Sequence, residues 1–122
     1  MMTSSIVPIL VVSGAATAGA IVLFLAPEPL LRLVFGVDAA DGLTIFFARY
    51  IGLLVFLFGC LLVYCAFNPA TRAPVLVAAS TEKLVFVALV AMGKAKRTPL
   101  LTTAAIADAL FATLYVLYLA GL

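Results

Sequence analysis

The sequence predicts an all-α membrane protein, with four transmembrane helices in an antiparallel bundle and a short interfacial helix after the first. Three observations carry that expectation. Hydrophobic residues make up 67% of the chain and charged residues 10%, whereas a soluble domain carries about a quarter charged residues. The mean hydropathy is +1.37. The apolar residues gather into four long runs, and a bilayer core needs about 20 residues of helix to cross. Backbone amides in lipid must be satisfied within their own segment. That leaves helix or closed barrel, and long runs without alternation are helices.

The first run, Ile6 to Ala26, holds no charge, and Pro8 is expected in its first turn, where a missing N–H does no harm. The chain starts Met-Met-Thr-Ser-Ser, without Lys or Arg, so the run reads as a retained helix. The stretch Ser13-Gly-Ala-Ala-Thr-Ala-Gly-Ala20 offers the small residues a signal-peptide cleavage site would need. Two prolines in Ala26-Pro-Glu-Pro29 are expected to stop this helix. The apolar stretch Leu30-Leu-Arg-Leu-Val-Phe-Gly36 reads as the interfacial helix, ended by Gly36.

The second run, Leu43 to Phe67, is interrupted only by Arg49, and the third, Val75 to Met92, holds Glu82 and Lys83. The fourth, Leu100 to Leu122, holds Asp108. The helices are thus expected at residues 6–26, 43–67, 75–92 and 100–121 of a single domain, 1–122. Asn68-Pro-Ala-Thr-Arg-Ala-Pro74 reads as a tight turn and Gly93-Lys-Ala-Lys-Arg-Thr-Pro99 as a basic one. Arg32, Lys94, Lys96 and Arg97 fall on one side and Arg72 on the other. By the positive-inside tendency the basic side is cytoplasmic. A multi-pass protein of a bacterial inner membrane with both termini outside is therefore expected.

Several chemistries are excluded. Histidine is absent, so no His-ligated haem, zinc or copper and no histidine base is available, and no metal site is expected. A net charge of +2 gives no argument for nucleic acid. Cys60 and Cys65 on one helix would lie about 140° apart around the axis and about 7.5 Å apart along it. Such a pair cannot form a disulfide readily.

Four charges sit where lipid should make them costly: Arg49, Glu82, Lys83 and Asp108. Each costs about 2.5–3.5 kcal/mol at a helix centre. Measured from the basic face at about 1.5 Å per residue, Arg49 lies about 9 Å deep, Asp108 about 12 Å, Lys83 about 13 Å and Glu82 about 15 Å. Two positive and two negative groups in one layer sum to zero. Arg49 is expected to pair with Asp108 or Glu82, and Lys83 to take what remains. The layer reads either as a register-fixing network or as the polar end of a pocket for a lipid, quinone or isoprenoid. No other cofactor is expected.

Small residues four apart in the first run, and Gly52 and Gly59 in the second, point to close helix packing. The fourth run carries a stripe of Ala104, Asp108, Phe111, Ala112 and Tyr115. Tyr64, Tyr115 and Tyr118 are expected as anchors at the outer interface. The Phe-rich second run reads as lipid-facing bulk.

Residues 26–36, Arg49-Tyr-Ile-Gly52, Gly59 with Tyr64, Asn68–Pro74 and Lys83 together resemble small uncharacterised four-helix bacterial inner-membrane proteins. The resemblance covers roughly residues 23–90. It implies the same four-helix membrane fold and no assigned activity. Small multidrug exporters resemble a chain with an intramembrane Glu in helix one, which is absent here. Sterol-isomerase-like bundles use several intramembrane acids, as Glu82 and Asp108 would be. They generally also carry Trp and His features that this chain lacks. The expected role is a non-catalytic lipid- or quinone-binding module, or an accessory subunit docked on other membrane subunits or on itself. The alternative is a membrane-embedded enzyme or proton-coupled carrier using Glu82 and Asp108.

Overall fold

A computed structural model describes residues 2–93 and 98–121. The expected basic cluster Lys94, Lys96 and Arg97 lies outside the described residues. The chain folds into α1 (Met2–Ala18), α2 (Ile21–Leu25), α3 (Pro27–Phe35), α4 (Gly42–Ala66), α5 (Arg72–Met92) and α6 (Pro99–Leu119). A 3₁₀ turn, Pro69–Thr71, precedes α5. Among the described residues, four segments are long and apolar enough to cross a membrane: Ser5–Leu25, Gly42–Ala66, Pro69–Met92 and Pro99–Leu119. The chain is a multi-pass helical membrane protein.

The helix boundaries follow from local chemistry, and three differ from the sequence expectation. Helix α1 starts ahead of Ile6, so Pro8 lies inside it rather than in its first turn. The first span also tightens at Gly19–Ala20, where Val22 N–H bonds Gly19 O at 3.1 Å and Leu23 N–H bonds Ala20 O at 2.9 Å. These bonds reach back three residues, which is 3₁₀ geometry. The prolines at 27 and 29 do more than stop a helix. Pro27 opens α3, a first-turn position that suits its fixed φ and missing N–H.

Arg72 accounts for the third difference. Its guanidinium donates from Nε to Cys65 O at 2.9 Å and from Nη2 to Ala66 O at 2.6 Å. These are carbonyls at the end of α4, left without intrahelical partners. Helix α5 therefore begins at Arg72, with Pro74 in its first turn, and the expected turn 68–74 is shorter than its proline content suggested. The same guanidinium reaches Tyr118 Oη on α6 at 3.5 Å. At the opposite end of the helices, Thr98 caps α6 by accepting from Leu101 N–H at 3.1 Å, and its hydroxyl donates to Val34 O on α3.

Helices α1 and α4 form one close pair and α5 and α6 another. The α1–α4 contact depends on glycine. A Cβ on Gly59 would sit 2.6 Å from Gly14 O and 2.7 Å from Ala18 Cα. One on Gly52 would sit 2.8 Å from Phe24 N. The small-residue reading of both runs thus describes a backbone-to-backbone approach. Ile6, Leu10, Leu62, Cys65, Leu76, Ala79 and Tyr115 form the main core cluster. Phe46, Phe47 and Phe67 point outward, as the lipid-facing reading of the Phe-rich run expects, while Phe56 and Phe58 are half-buried. Both cysteines are free, with Cys60 exposed and Cys65 buried.

Candidate functional site

Three helices bring the intramembrane polar groups together. On α1 the buried stripe is Ile6, Leu10, Ser13 and Thr17, spaced three and four apart as one helix face requires. On α5 it is Leu76, Ala79, Ser80 and Lys83. On α6 it is Leu101, Ala105, Ala112 and Tyr115, with the half-buried Asp108 between them. Lys83 precedes the end of α5 at Met92 by as many residues as Asp108 follows the start of α6 at Pro99. Both therefore lie about 13.5 Å in from those ends at about 1.5 Å per residue.

At that level Lys83, only 2% exposed, places Nζ 3.0 Å from Asp108 Oδ1. It also donates to Thr17 Oγ1 at 3.0 Å. The Phe111 ring lies with its centroid 5.8 Å from the ammonium, within cation–π range. Three helices are thus tied at one point by one cation.

Of the four charges expected to form a layer, Glu82, Lys83 and Asp108 come together and Arg49 does not. Arg49 is exposed, and Lys83–Asp108 is the one ion pair among the described residues. The expected pairing of Arg49 with Asp108 or Glu82 is therefore corrected. At the level of Arg49 both the end of the first span and α3 lie against α4. Leu23 and Leu31 pack on the neighbouring Ala48, and Arg49 lies on the exposed side of α4. Lys83, assigned what remained, has a stem that reaches Asp108 across the α5–α6 contact.

Tyr115 is a second correction. It is fully buried, and its hydroxyl donates to Ser13 Oγ, so it is not an interfacial anchor. It lies two turns along α6 from Asp108, on the same inward face. Tyr64 is exposed and Tyr118 half-buried beside Arg72. Sequence reasoning also missed Thr17, Ser13 and Ser80. The signal was present, since the two hydroxyls of α1 continue the Ile6–Leu10 stripe. Ser80 Oγ is buried and has no hydrogen-bond partner among the described residues.

A cavity of about 440 Å³ opens beside the ion pair. Thr17, Glu82, Lys83 and Asp108 supply its polar part. Leu30, Val34 and Phe35 of α3, Ile51 and Val55 of α4, and Phe86 of α5 supply apolar wall. A second cavity of about 530 Å³ lies between α2, α3 and α4, lined by Leu31, Val37, Phe47 and Ala48 among others. Leu23, Phe35 and Ile51 line both.

Similarity to known proteins does not narrow the reading. No family model, curated protein or solved structure matches the chain. The site's own chemistry remains: an open, largely apolar cavity whose lining includes two carboxyl groups and one ammonium. Ligand pockets are of this kind, apolar over most of their surface with a few polar groups that orient the ligand.

Proposed function

We propose that this chain is a small lipid-binding protein of a bacterial inner membrane, holding an amphipathic molecule in the cavity beside Lys83 and Asp108. One observation carries the reading: three of the four charges buried in apolar sequence line a single cavity whose other walls are apolar. A network serving only helix register would need no space next to it. An intramembrane ionisable group that faces a cavity marks a ligand or ion pathway by default.

In this reading the four spans form an antiparallel bundle and α3 lies in the interface. The face bearing α3 and the 93–98 connection is cytoplasmic, and both termini are outside. The amphipathic α3, with Glu28 in its first turn and Arg32 in its last, shields the cavity on that side. Its apolar residues Leu30, Val34 and Phe35 serve as wall.

Native mass spectrometry of the protein extracted from its own membrane tests the proposal. A bound amphipath is expected on the wild-type chain, and its occupancy should fall at least tenfold in Ala104→Phe, which fills the cavity from α6. Wild-type protein that emerges with no bound species contradicts it. A second reading, proton-coupled transport, draws on Glu82 and Asp108 sharing that cavity. Under it, Asp108→Asn would leave binding intact and abolish pH-driven movement of the ligand across vesicles.

A further inference from the structure

The hydrogen-bonding inventory of the cavity narrows the ligand's chemistry, on the reading that the cavity binds an amphipath. Lys83 has three N–H donors and nothing to accept with. One goes to Asp108 Oδ1 and one to Thr17 Oγ1, and the ammonium lies over the Phe111 ring. Its positive charge is matched by Asp108 at 3.0 Å. Two of the three donors of Lys83, and its charge, are therefore already committed within the protein.

Acceptor capacity is not. Glu82 lines the same cavity, half-buried, and makes no hydrogen bond or ion pair among the described residues. Asp108 uses Oδ1 for Lys83, and its Oδ2 takes no hydrogen bond among the described residues. Both Glu82 oxygens and Asp108 Oδ2 are therefore free to accept. Lys83 is paired with Asp108, so the carboxyl group of Glu82 has no cation of its own in the cavity. An anionic or acceptor-only head would find only the third Lys83 N–H and the Thr17 hydroxyl left to hold it, and would face the carboxyl groups of Glu82 and Asp108. A head that brings its own N–H groups and a positive charge satisfies both deficits.

We infer that the cavity takes a primary-ammonium-headed amphipath. Its head is held by Glu82 and Asp108 Oδ2, and its tail is laid through the second cavity between α2, α3 and α4. The tail route follows from the shared walls. Leu23, Phe35 and Ile51 border both spaces, and the second is lined almost wholly by apolar side chains. The two together suit a small head with one hydrocarbon chain.

The test measures binding of dodecylammonium, dodecanol and dodecyl sulfate to the full chain in nanodiscs of uncharged lipid. Dodecylammonium is expected to bind at least tenfold tighter than dodecyl sulfate, with dodecanol between them. Glu82→Gln should reduce the ammonium-to-sulfate preference about tenfold while dodecanol binding changes less than threefold. That dodecanol reading also reports whether the variant is folded. Ile51→Trp, at an exposed position that tolerates a larger ring, should weaken dodecylammonium at least fivefold and hexylammonium less than twofold. Equal or tighter binding of dodecyl sulfate overturns the head assignment while leaving lipid binding in place. An unchanged preference in Glu82→Gln does the same. Equal effects of Ile51→Trp on both chain lengths overturn the tail route. Failure of all three amphipaths to bind removes the lipid-binding reading as well.

Discussion

At the scale of single residues, Lys83 carries the most consequence. Its ammonium is buried at the meeting point of α1, α5 and α6, and Asp108 and Thr17 share its protons. Replacing Lys83 by Leu would leave Asp108 alone at depth, at a cost of about 2.5–3.5 kcal/mol. Replacing both Lys83 and Asp108 by Leu removes the unpaired charge with its partner, and should recover most of that loss. Melting in detergent is expected to rank the single variant lowest, with the double variant close to wild type. Additive losses would mean that the two side chains do not act as a pair. Arg49→Leu, by contrast, should change melting little, because no partner is lost.

Asp41 offers a residue-scale test outside the membrane span. Its carboxylate caps α4 by accepting from Thr44 N–H at 2.7 Å. That backbone hydrogen bond holds its pKa below the ordinary carboxylate value. The carboxylate is thus easier to ionise folded than unfolded. Its contribution is fully present above the unfolded-state pKa and fades as pH falls through the depressed folded value. Asp41→Asn, which still accepts a hydrogen bond but does not titrate, should flatten the acid limb of the stability profile. Asp41→Ala should lower stability at neutral pH as well. Thermal scans between about pH 2 and pH 6, roughly two units either side of an ordinary Asp pKa of about 3.9, distinguish the two.

At the scale of helices, the α1–α4 contact and the Arg72 clamp are the places where a small change should act most widely. Gly59→Ala brings a methyl group against Gly14 O and Ala18 Cα. Backbone cannot give way as a flexible side chain can, so a loss of about 1–3 kcal/mol is expected. Gly42→Ala is the matched control, since nothing lies within 4 Å of a Cβ there. A Gly59→Ala protein that melts with wild type would mean the two helices are farther apart than described. Arg72→Lys keeps the charge and loses the fork that spans Cys65 O and Ala66 O. Amide exchange at residues 66–72 should therefore rise in Arg72→Lys as it does in Arg72→Gln.

The same scale shows what the sequence made legible. The four spans were readable because apolar runs of bilayer length admit no other soluble or membrane element. Gly52 and Gly59 were readable as contact residues from spacing alone. The start of α5 was not, because it depends on Arg72 folding back onto α4, a long-range contact that turn-forming residues conceal. Nor was the burial of Tyr115. A tyrosine near the end of an apolar run has the composition of an interfacial anchor, and only Ser13 on another helix distinguishes the two. The exposure of Arg49 escaped for a related reason. Leu23 packs against both Gly52 and Ala48, and Arg49 between them is turned to the exposed side of α4.

At the scale of the whole molecule, almost everything outside the helices is short connection, and the polar groups converge on one cavity. Sequence alone put Glu82, Lys83 and Asp108 in one layer, but the charge balance it expected depended on Arg49, which lies on the exposed side of α4. Sequence could not indicate that space would remain beside the three, because volume between helices depends on crossing geometry and on where α3 lies. The proposed function therefore turns on the cavity of about 440 Å³. A photoactivatable dodecylammonium carrying a diazirine on its chain, crosslinked to the protein in bilayers and mapped by mass spectrometry, tests it most directly. The expected result is adducts concentrated on Val55, Phe86 and Ala104 inside the cavity and displaced by unlabelled amphipath. Adducts spread over the outward-facing Leu57, Leu61 and Ile106, with no displacement, would contradict it.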